Sequence, residues 1–217
     1  MKTVFLVFCL SIVWATVVNA QLLSEQFEYD DGSLTANPDW VTHSGKQGDL
    51  LVADGEAILQ HGTSTEDVNI SFLNVNSGAV SATFDIVVDG EERIRGTDFE
   101  YFAHFCTSHG NHFRSRVDVQ KPSDLMFDYT LGISSTTGTA EATLSQGFVF
   151  GEVVSVTLQF DIDSGIGSLT VDGETINGTS TALGETINRF ALRQSDSSSD
   201  ERIKVDNLVI EDIQPDE

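Results

Sequence analysis

Runs in which apolar and polar residues alternate recur roughly every ten residues along the chain, a spacing typical of all-β sandwiches and barrels. Neighbouring side chains of a β-strand point to opposite faces, so each run predicts a strand with one buried face. No segment shows the period of an amphipathic helix. The chain is therefore predicted to be all-β, and its clearest strands are expected at 80–88, 113–119, 154–160 and 203–210.

Asp-Gly pairs separate several of these runs and predict tight hairpins. Asp54-Gly55 lies in the middle of 50–60, and Asp172-Gly173 follows the alternating residues Leu169 and Val171. Asp and Gly tolerate the backbone conformations that two-residue hairpin turns require. In the stretch 160–174, Asp161 and Asp163 are expected to shape a turn, because no ligand loop or partnering Glu accompanies them.

The N-terminus has the pattern of a secretory signal peptide. Lys2 precedes an almost wholly apolar run from Val4 to Val18, and Val18-Asn19-Ala20 offers a small-residue cleavage site. We expect residues 1–20 to be a signal peptide and residues 21–217 to form one domain. The protein is accordingly expected to be secreted, whether extracellular, periplasmic or attached to the cell surface.

The charge of the chain excludes two classes of partner, and its cysteine content bears on disulfide bonds. The 217-residue chain has 34 acidic and 11 basic side chains, with a formal net charge of −23. Such a charge repels the phosphates of nucleic acids and anionic membrane surfaces, so we expect neither partner and no membrane insertion once the leader is removed. Beyond the leader Cys106 is the sole cysteine, so no internal disulfide is expected.

Three landmarks carry a family resemblance that spans almost the whole chain after the leader. They are the opening from Glu25 to Leu34 followed by Trp40, the hairpin at 160–174, and the closing strand with Val205-Asp206-Asn207. The chain resembles the concanavalin A-like or laminin-G-like jelly-roll modules of secreted proteins from environmental bacteria. The resemblance implies a two-sheet antiparallel jelly-roll sandwich, a fold that hosts sugar binding, adhesion and a few enzymes.

The densest polar chemistry lies between Asp98 and Asp118. Strict alternation would place Tyr101 on one face of its strand and Phe102 and His104 on the other, and would turn Phe113 inward. Arginine forks on outward faces suit the uronate or sulfate groups of an acidic polysaccharide. The alternative is cross-strand ion pairing on a solvent face. The expected carbohydrate-binding residues are Glu100, Phe102, His104, Arg114, Arg116, Arg189 and Arg193.

The sequence offers two candidate metal sites. The resemblance implies a structural calcium between the first strand and an Asp of the last, which here would involve Glu25, Glu28 and Asp206. His104, Cys106, His109 and His112 are crowded as in a soft-ligand site, but they lack the loop-separated pairs of zinc sites, so a plain turn is favoured.

The leading hypothesis is a secreted, non-catalytic module that binds glycans or mediates surface adhesion. Hydrolases of this fold place two carboxylates on one strand as Glu-x-Asp-x-x-Glu or Glu-x-Asp-x-Glu, and the chain has no such run. The alternatives are a polysaccharide lyase or glycoside hydrolase acting on an acidic polysaccharide, and a structural exoprotein with no small ligand. A lyase could use Tyr101, His104, Arg114 and Arg116, although alternation separates the first two.

Overall fold

The computed structural model describes residues 18–94, 100–107, 112–195 and 200–214, which form two antiparallel β-sheets and a single 3₁₀ turn at Leu34–Ala36. The all-β prediction is confirmed. The strands are β1 (Val18–Glu25), β2 (Gly32–Ser33), β3 (Trp40–Ser44), β4 (Leu51–Ala53), β5 (Glu56–Gln60), β6 (Asp67–Val75), β7 (Ala79–Asp89), β8 (Glu100–Thr107), β9 (Phe113–Gln120), β10 (Thr130–Ser134), β11 (Ala142–Thr143), β12 (Val153–Asp161), β13 (Ile166–Val171), β14 (Glu174–Asn177), β15 (Ile187–Arg193) and β16 (Arg202–Gln214).

The two sheets differ in how their strands are ordered. Over the described residues, one sheet has nine strands in the order β14-β13-β12-β7-β16-β5-β4-β2, with β1 also paired to β16. The other has seven strands in the order β11-β10-β9-β8-β15-β6-β3. Since chain neighbours such as β2 and β3 belong to different sheets, the chain crosses repeatedly between the two layers.

The core lies between the sheets and is built from the inward residues of both. Phe84 of β7 and Phe190 of β15 are fully buried, and their ring centroids are 5.6 Å apart. Phe105 of β8 extends this contact, 5.8 Å from Phe190. The burial pattern of β7 alternates along most of its length, as a strand with one face on the core requires.

The hairpins form where the Asp-Gly pairs predict them. Asp54 and Gly55 have φ of 54° and 78°, and Asp172 and Gly173 have φ of 49° and 83°. Two successive positive φ values are the signature of type I′ turns, which Asp-Gly favours. The β12–β13 turn closes with the Gly165 N–H donating to the Asp161 carbonyl at 2.8 Å. Asp161 and Asp163 are therefore turn residues, as expected.

A search of the described residues for membrane-spanning segments finds no helix with the length and apolar character to cross a bilayer.

Candidate functional site

Irregularities in β8 and β9 rearrange the outer face of the seven-stranded sheet, the face turned away from the nine-stranded sheet. The β8–β9 pairing shifts between Tyr101 and Ala103 and again between Ala103 and Phe105. Such shifts break strict alternation and re-aim side chains. As a result the Tyr101 and His104 rings lie 5.3 Å apart on one face. The expectation that they occupy opposite faces is wrong.

Ser115 is the irregular residue of β9. It has a φ of 50°, a conformation uncommon for any residue but glycine, and its side chain is fully buried. Its hydroxyl donates to the Gln159 carbonyl of the opposite sheet at 2.7 Å. A Cβ on Gly167 would lie 2.5 Å from that hydroxyl oxygen, so only glycine leaves room for this inward turn.

These irregularities exchange two aromatic residues between core and surface. Phe102, expected on the outer face as a carbohydrate contact, is fully buried in the core. Phe113, expected to point inward, has its ring 4.4 Å from His104 and 6.4 Å from Tyr101 on the outer face. Phe102 is thus removed from the candidate site, and Phe113 is the residue that sequence reasoning missed.

Guanidinium groups lie against the exchanged aromatic rings. The Arg116 Cζ is 4.8 Å from the centroid of Tyr101 and 5.2 Å from that of Phe113, and the Arg193 Cζ is 4.3 Å from Tyr101. Contacts of this length are cation–π interactions, which hold the guanidinium in place while leaving donors for a ligand. Arg189 of β15 lies close enough to His43 for its charge to act on that ring, which is 5.9 Å from Phe113. We name this surface the arginine platform; it comprises Tyr101, His104, Phe113, Arg116, Arg189 and Arg193.

The guanidinium groups of the platform differ in their pairing. The Arg193 Nε lies 3.8 Å from Asp67, whose other carboxylate oxygen accepts a hydrogen bond from Ser44 at 2.6 Å. Arg189 is half-buried, and its guanidinium makes no hydrogen bond or ion pair within the described residues. Burial lowers the pKa of Arg116, and Tyr101 and Asp118 oppose that shift. A half-buried guanidinium without a hydrogen-bond or ion-pair partner among the described residues, such as that of Arg189, favours an incoming anion.

His104 forms the floor of the platform. Its side chain is fully buried, and neither ring nitrogen has a hydrogen-bond partner in the described part of the chain. Burial holds the His104 pKa well below its usual value, and the charges of Arg116, His43 and Arg193 lower it further. The imidazole is therefore neutral near pH 7. A neutral ring with no exposed surface serves as packing and cannot reach a substrate proton.

Arg114 is paired with groups of the protein itself. It forms an ion pair with Glu185, donates from Nη1 to the Phe113 carbonyl at 2.8 Å, and has an 11 % exposed side chain. We had expected it to contact sugar, but its charge is already satisfied. The backbone of Glu100 begins β8, while its side chain lies outside the described residues. Arg116, Arg189 and Arg193 therefore remain from the expected arginines.

The turn after β10 borders Arg116 and is held by Glu141. A Cβ on Gly138 of that turn would lie 3.3 Å from Nη1 of Arg116. The Glu141 carboxylate accepts from the backbone N–H groups of Ser135 at 3.2 Å, Thr179 at 2.7 Å and Ser180 at 3.0 Å. It thereby ties the β10–β11 turn to the loop after β14. Partial burial alone would raise the Glu141 pKa, but the hydrogen bonds from Ser180, Ser135 and Thr179 outweigh it and lower the pKa to about 2.

We expect Glu141→Gln to destabilise the protein above pH 5 and to match the wild type near pH 2. A carboxyl whose folded pKa is depressed stabilises the fold above its unfolded pKa and loses that effect as pH falls through the folded pKa. The measurement is the urea midpoint of both proteins between pH 6 and pH 2. Glu152→Gln removes an exposed carboxylate and serves as control. A wild-type advantage that stays constant over this pH range would contradict stabilisation by the ionised Glu141 carboxylate.

The predicted calcium site is not formed. Glu25 is buried, and its oxygens accept from the Phe27 N–H at 2.7 Å, the Tyr29 hydroxyl at 2.5 Å and the Trp40 indole at 3.1 Å. Asp206 instead lies near Glu28, Glu56 and Asp85; burial raises the Asp206 pKa, and the repulsion of these three charges adds to the shift.

No group of three or more His, Cys, Asp or Glu within the ranges that the structure describes is arranged to hold a metal ion. The set Glu25, Glu28 and Asp206 therefore does not fit calcium, because hydrogen bonds already occupy Glu25. For the soft-ligand alternative, His109 lies outside the described residues. Cys106 is buried, and that burial raises its thiol pKa to about 12, which disfavours the thiolate that binds metals.

Comparison with known proteins gives the fold. No protein-family model matches the chain, and no curated protein matches it. The Lotus tetragonolobus seed lectin superposes with a TM-score of 0.55 and 13 % identity, over 93 % of this chain and 100 % of the lectin. Basic winged bean lectin with Tn-antigen superposes with a TM-score of 0.53 and 11 % identity, over 92 % of this chain and 99 % of that lectin.

A sialidase matches with a TM-score of 0.58 and 13 % identity, over 88 % of this chain but only 18 % of the enzyme. Likenesses at such low identity establish architecture alone. The expected concanavalin A-like, lectin-like jelly-roll sandwich is confirmed.

Proposed function

We propose that the protein is a secreted, non-catalytic module that binds an anionic polysaccharide on its arginine platform. The observation that carries the proposal is the stacking of Arg116 and Arg193 on Tyr101 and Phe113, in a chain with only 11 basic residues and a net charge of −23. Arg189 of β15 adds a third charge beside His43, whose ring lies 5.9 Å from Phe113. Scattered bases would be a solvated surface, whereas bases collected on aromatic rings form a recognition surface.

The chemistry of the platform matches an acidic sugar. Guanidinium groups bind carboxylates and sulfates through paired, charge-assisted hydrogen bonds. Tyr101 and Phe113 are half-buried, so part of each ring is available to the C–H face of a pyranose. The overlap of fold with lectins that carry sugar ligands, such as winged bean lectin with Tn-antigen, supports the same class of function. Secretion is supported by the apolar run that precedes residue 20.

A lyase is the second candidate, because Tyr101 and His104 share one face with Arg116. Proton abstraction requires a base within hydrogen-bond reach of the substrate. His104 is fully buried beneath Phe113 and is held neutral without a bonded partner among the described residues. The geometry therefore supports binding over elimination. Release of unsaturated oligosaccharides from alginate or pectate by the pure protein would reverse this preference.

The proposal is tested by calorimetric titration with hexamers of guluronate and galacturonate, and with neutral cellohexaose and laminarihexaose. We expect the uronates to bind and their affinity to fall as salt increases. The double variant Arg116→Ala, Arg189→Ala should lose at least about tenfold in affinity, because each charged hydrogen bond contributes about 1.5–3 kcal/mol.

The double variant Arg202→Ala, Lys204→Ala is the matched control, since it also removes two positive charges, from β16 of the nine-stranded sheet. The control should bind uronates within about twofold of the wild type, as expected for a distant rim charge. Equal affinity of the double variant and the wild type would overturn the platform as the binding surface.

A further inference from the structure

A groove lies where the chain crosses from the nine-stranded sheet to the seven-stranded sheet, between β2 and β3. Its volume is about 520 Å³, within the range of about 300–1,000 Å³ that is typical of small-molecule sites. Its lining includes Tyr29, Asp30, Ser33, Asn37, Pro38 and Asp39. This groove shares no lining residue with the arginine platform.

The walls of the groove are fixed before any ligand arrives. Tyr29 donates its hydroxyl to Glu25, which is itself held by the Phe27 N–H and the Trp40 indole. Burial raises the Tyr29 pKa, and the bond to Glu25 raises it further, so the phenol keeps its proton. On the other side, the Asn37 side-chain oxygen accepts from the Asp39 N–H at 3.0 Å. A preformed site avoids the entropy cost of ordering its walls on binding.

The polar groups of the groove select ligands by charge. Asp30 and Asp39 are exposed, and neither carboxylate has a hydrogen-bond or ion-pair partner in the described ranges. Two free carboxylates repel an anion and accept hydrogen bonds from hydroxyl groups. The Ser33 hydroxyl adds a further donor and acceptor. A ligand that fits these groups carries several hydroxyls and no negative charge.

The apolar part of the groove selects ligands by shape. The Tyr29 ring and Pro38 add non-polar surface to the lining that also holds the two carboxylates. A bare metal ion gains nothing from such a surface, whereas a pyranose has one face of C–H groups and an edge of hydroxyls. We infer that the groove is a second saccharide site, which takes a neutral sugar, while the platform takes an acidic one.

The test is titration of the ¹⁵N-labelled protein with methyl β-galactoside, methyl β-glucoside and methyl α-mannoside, followed through backbone amide shifts. At least one of them should shift amides of residues 29–39 in a saturable way and leave those of β9 and β15 in place. The double variant Asp30→Ala, Asp39→Ala should lose at least tenfold in affinity for that glycoside. The control Glu91→Ala, Glu152→Ala removes equal charge at exposed positions elsewhere and should bind as the wild type does.

Several results would overturn the inference. These are the absence of saturable shifts with all three glycosides, equal affinity of the groove variant and the wild type, or shifts that calcium chloride alone reproduces. The outcome is separable from that of the platform. Arg116→Ala, Arg189→Ala should keep its affinity for the methyl glycoside, and loss of that affinity would contradict two distinct sites. Binding of the glycoside without binding of uronates would support the groove as a neutral-sugar site and contradict the platform as an acidic-glycan site.

Discussion

Phe190→Ala is expected to lower the free energy of unfolding by about 3–5 kcal/mol, the usual cost of removing a large buried ring. Phe190 is fully buried between Phe84 of the nine-stranded sheet and Phe105 of its own sheet, at centroid distances of 5.6 and 5.8 Å. The substitution removes the contact between the Phe190 and Phe84 rings across the two layers and leaves a cavity. Urea unfolding followed by the fluorescence of the buried Trp40 measures the loss.

Leu73→Ala is the control for this substitution. Leu73 is 76 % exposed, so its truncation should change stability by no more than about 0.5 kcal/mol. A Phe190 variant as stable as the Leu73 variant would show that the aromatic contacts between the sheets do not carry the fold.

Glu66→Ala is the second large effect, with an expected loss of about 3 kcal/mol from leaving one buried and one partly buried backbone donor unsatisfied. The Glu66 side chain is fully buried and accepts from the backbone N–H groups of Gly48 at 2.9 Å and Leu50 at 2.7 Å. Its other oxygen accepts from the Thr42 hydroxyl at 2.6 Å. Glu66 thereby fixes the loop between β3 and β4.

Glu66→Gln separates hydrogen bonding from charge. The amide oxygen can accept from Gly48 and Leu50, and the Thr42 hydroxyl can rotate to accept from the amide nitrogen. The glutamine variant should lose about 1 kcal/mol, much less than the alanine variant. Chemical unfolding at pH 7 measures both. Equal losses would show that the charge of Glu66, and not its hydrogen bonds, stabilises the loop.

The fold was predictable because its signals are local. Alternation of apolar residues marks β7 and β12 directly, and Asp54-Gly55 and Asp172-Gly173 supply the positive φ values of their turns. A strand with one buried face leaves this pattern whatever its partners are. The sandwich follows from the number and spacing of such strands.

The candidate site was only partly predictable, because it depends on irregular pairing. A bulge adds one residue to one strand, so the side chains after it point to the opposite face from the one that alternation predicts. Ser115 adopts the positive φ of such an irregularity, but a serine in the sequence does not indicate one. Alternation therefore misplaced Tyr101, Phe102 and Phe113. The nearest available signal was the run of polar residues around Arg116. It interrupts the alternation of apolar residues in β9, but it does not reveal the position of the bulge.

The calcium prediction failed for a related reason. Glu25 was grouped with Glu28 and Asp206 by analogy with related modules, but its partners are Tyr29 and Trp40. The Trp40 contact is long-range, since 15 residues separate it from Glu25. Side-chain hydrogen bonds such as those of Glu25 produce no periodic pattern in the sequence, so alternation cannot reveal them.

The central claim is that the arginine platform binds acidic glycans. Its most direct test is the map of backbone amide shifts when hexaguluronate is added to the ¹⁵N-labelled wild-type protein. The account predicts saturable shifts in β8, β9 and β15, around Tyr101, Arg116 and Arg189, that weaken as salt is added. Saturable shifts confined to other strands, or no shifts at all, would contradict it.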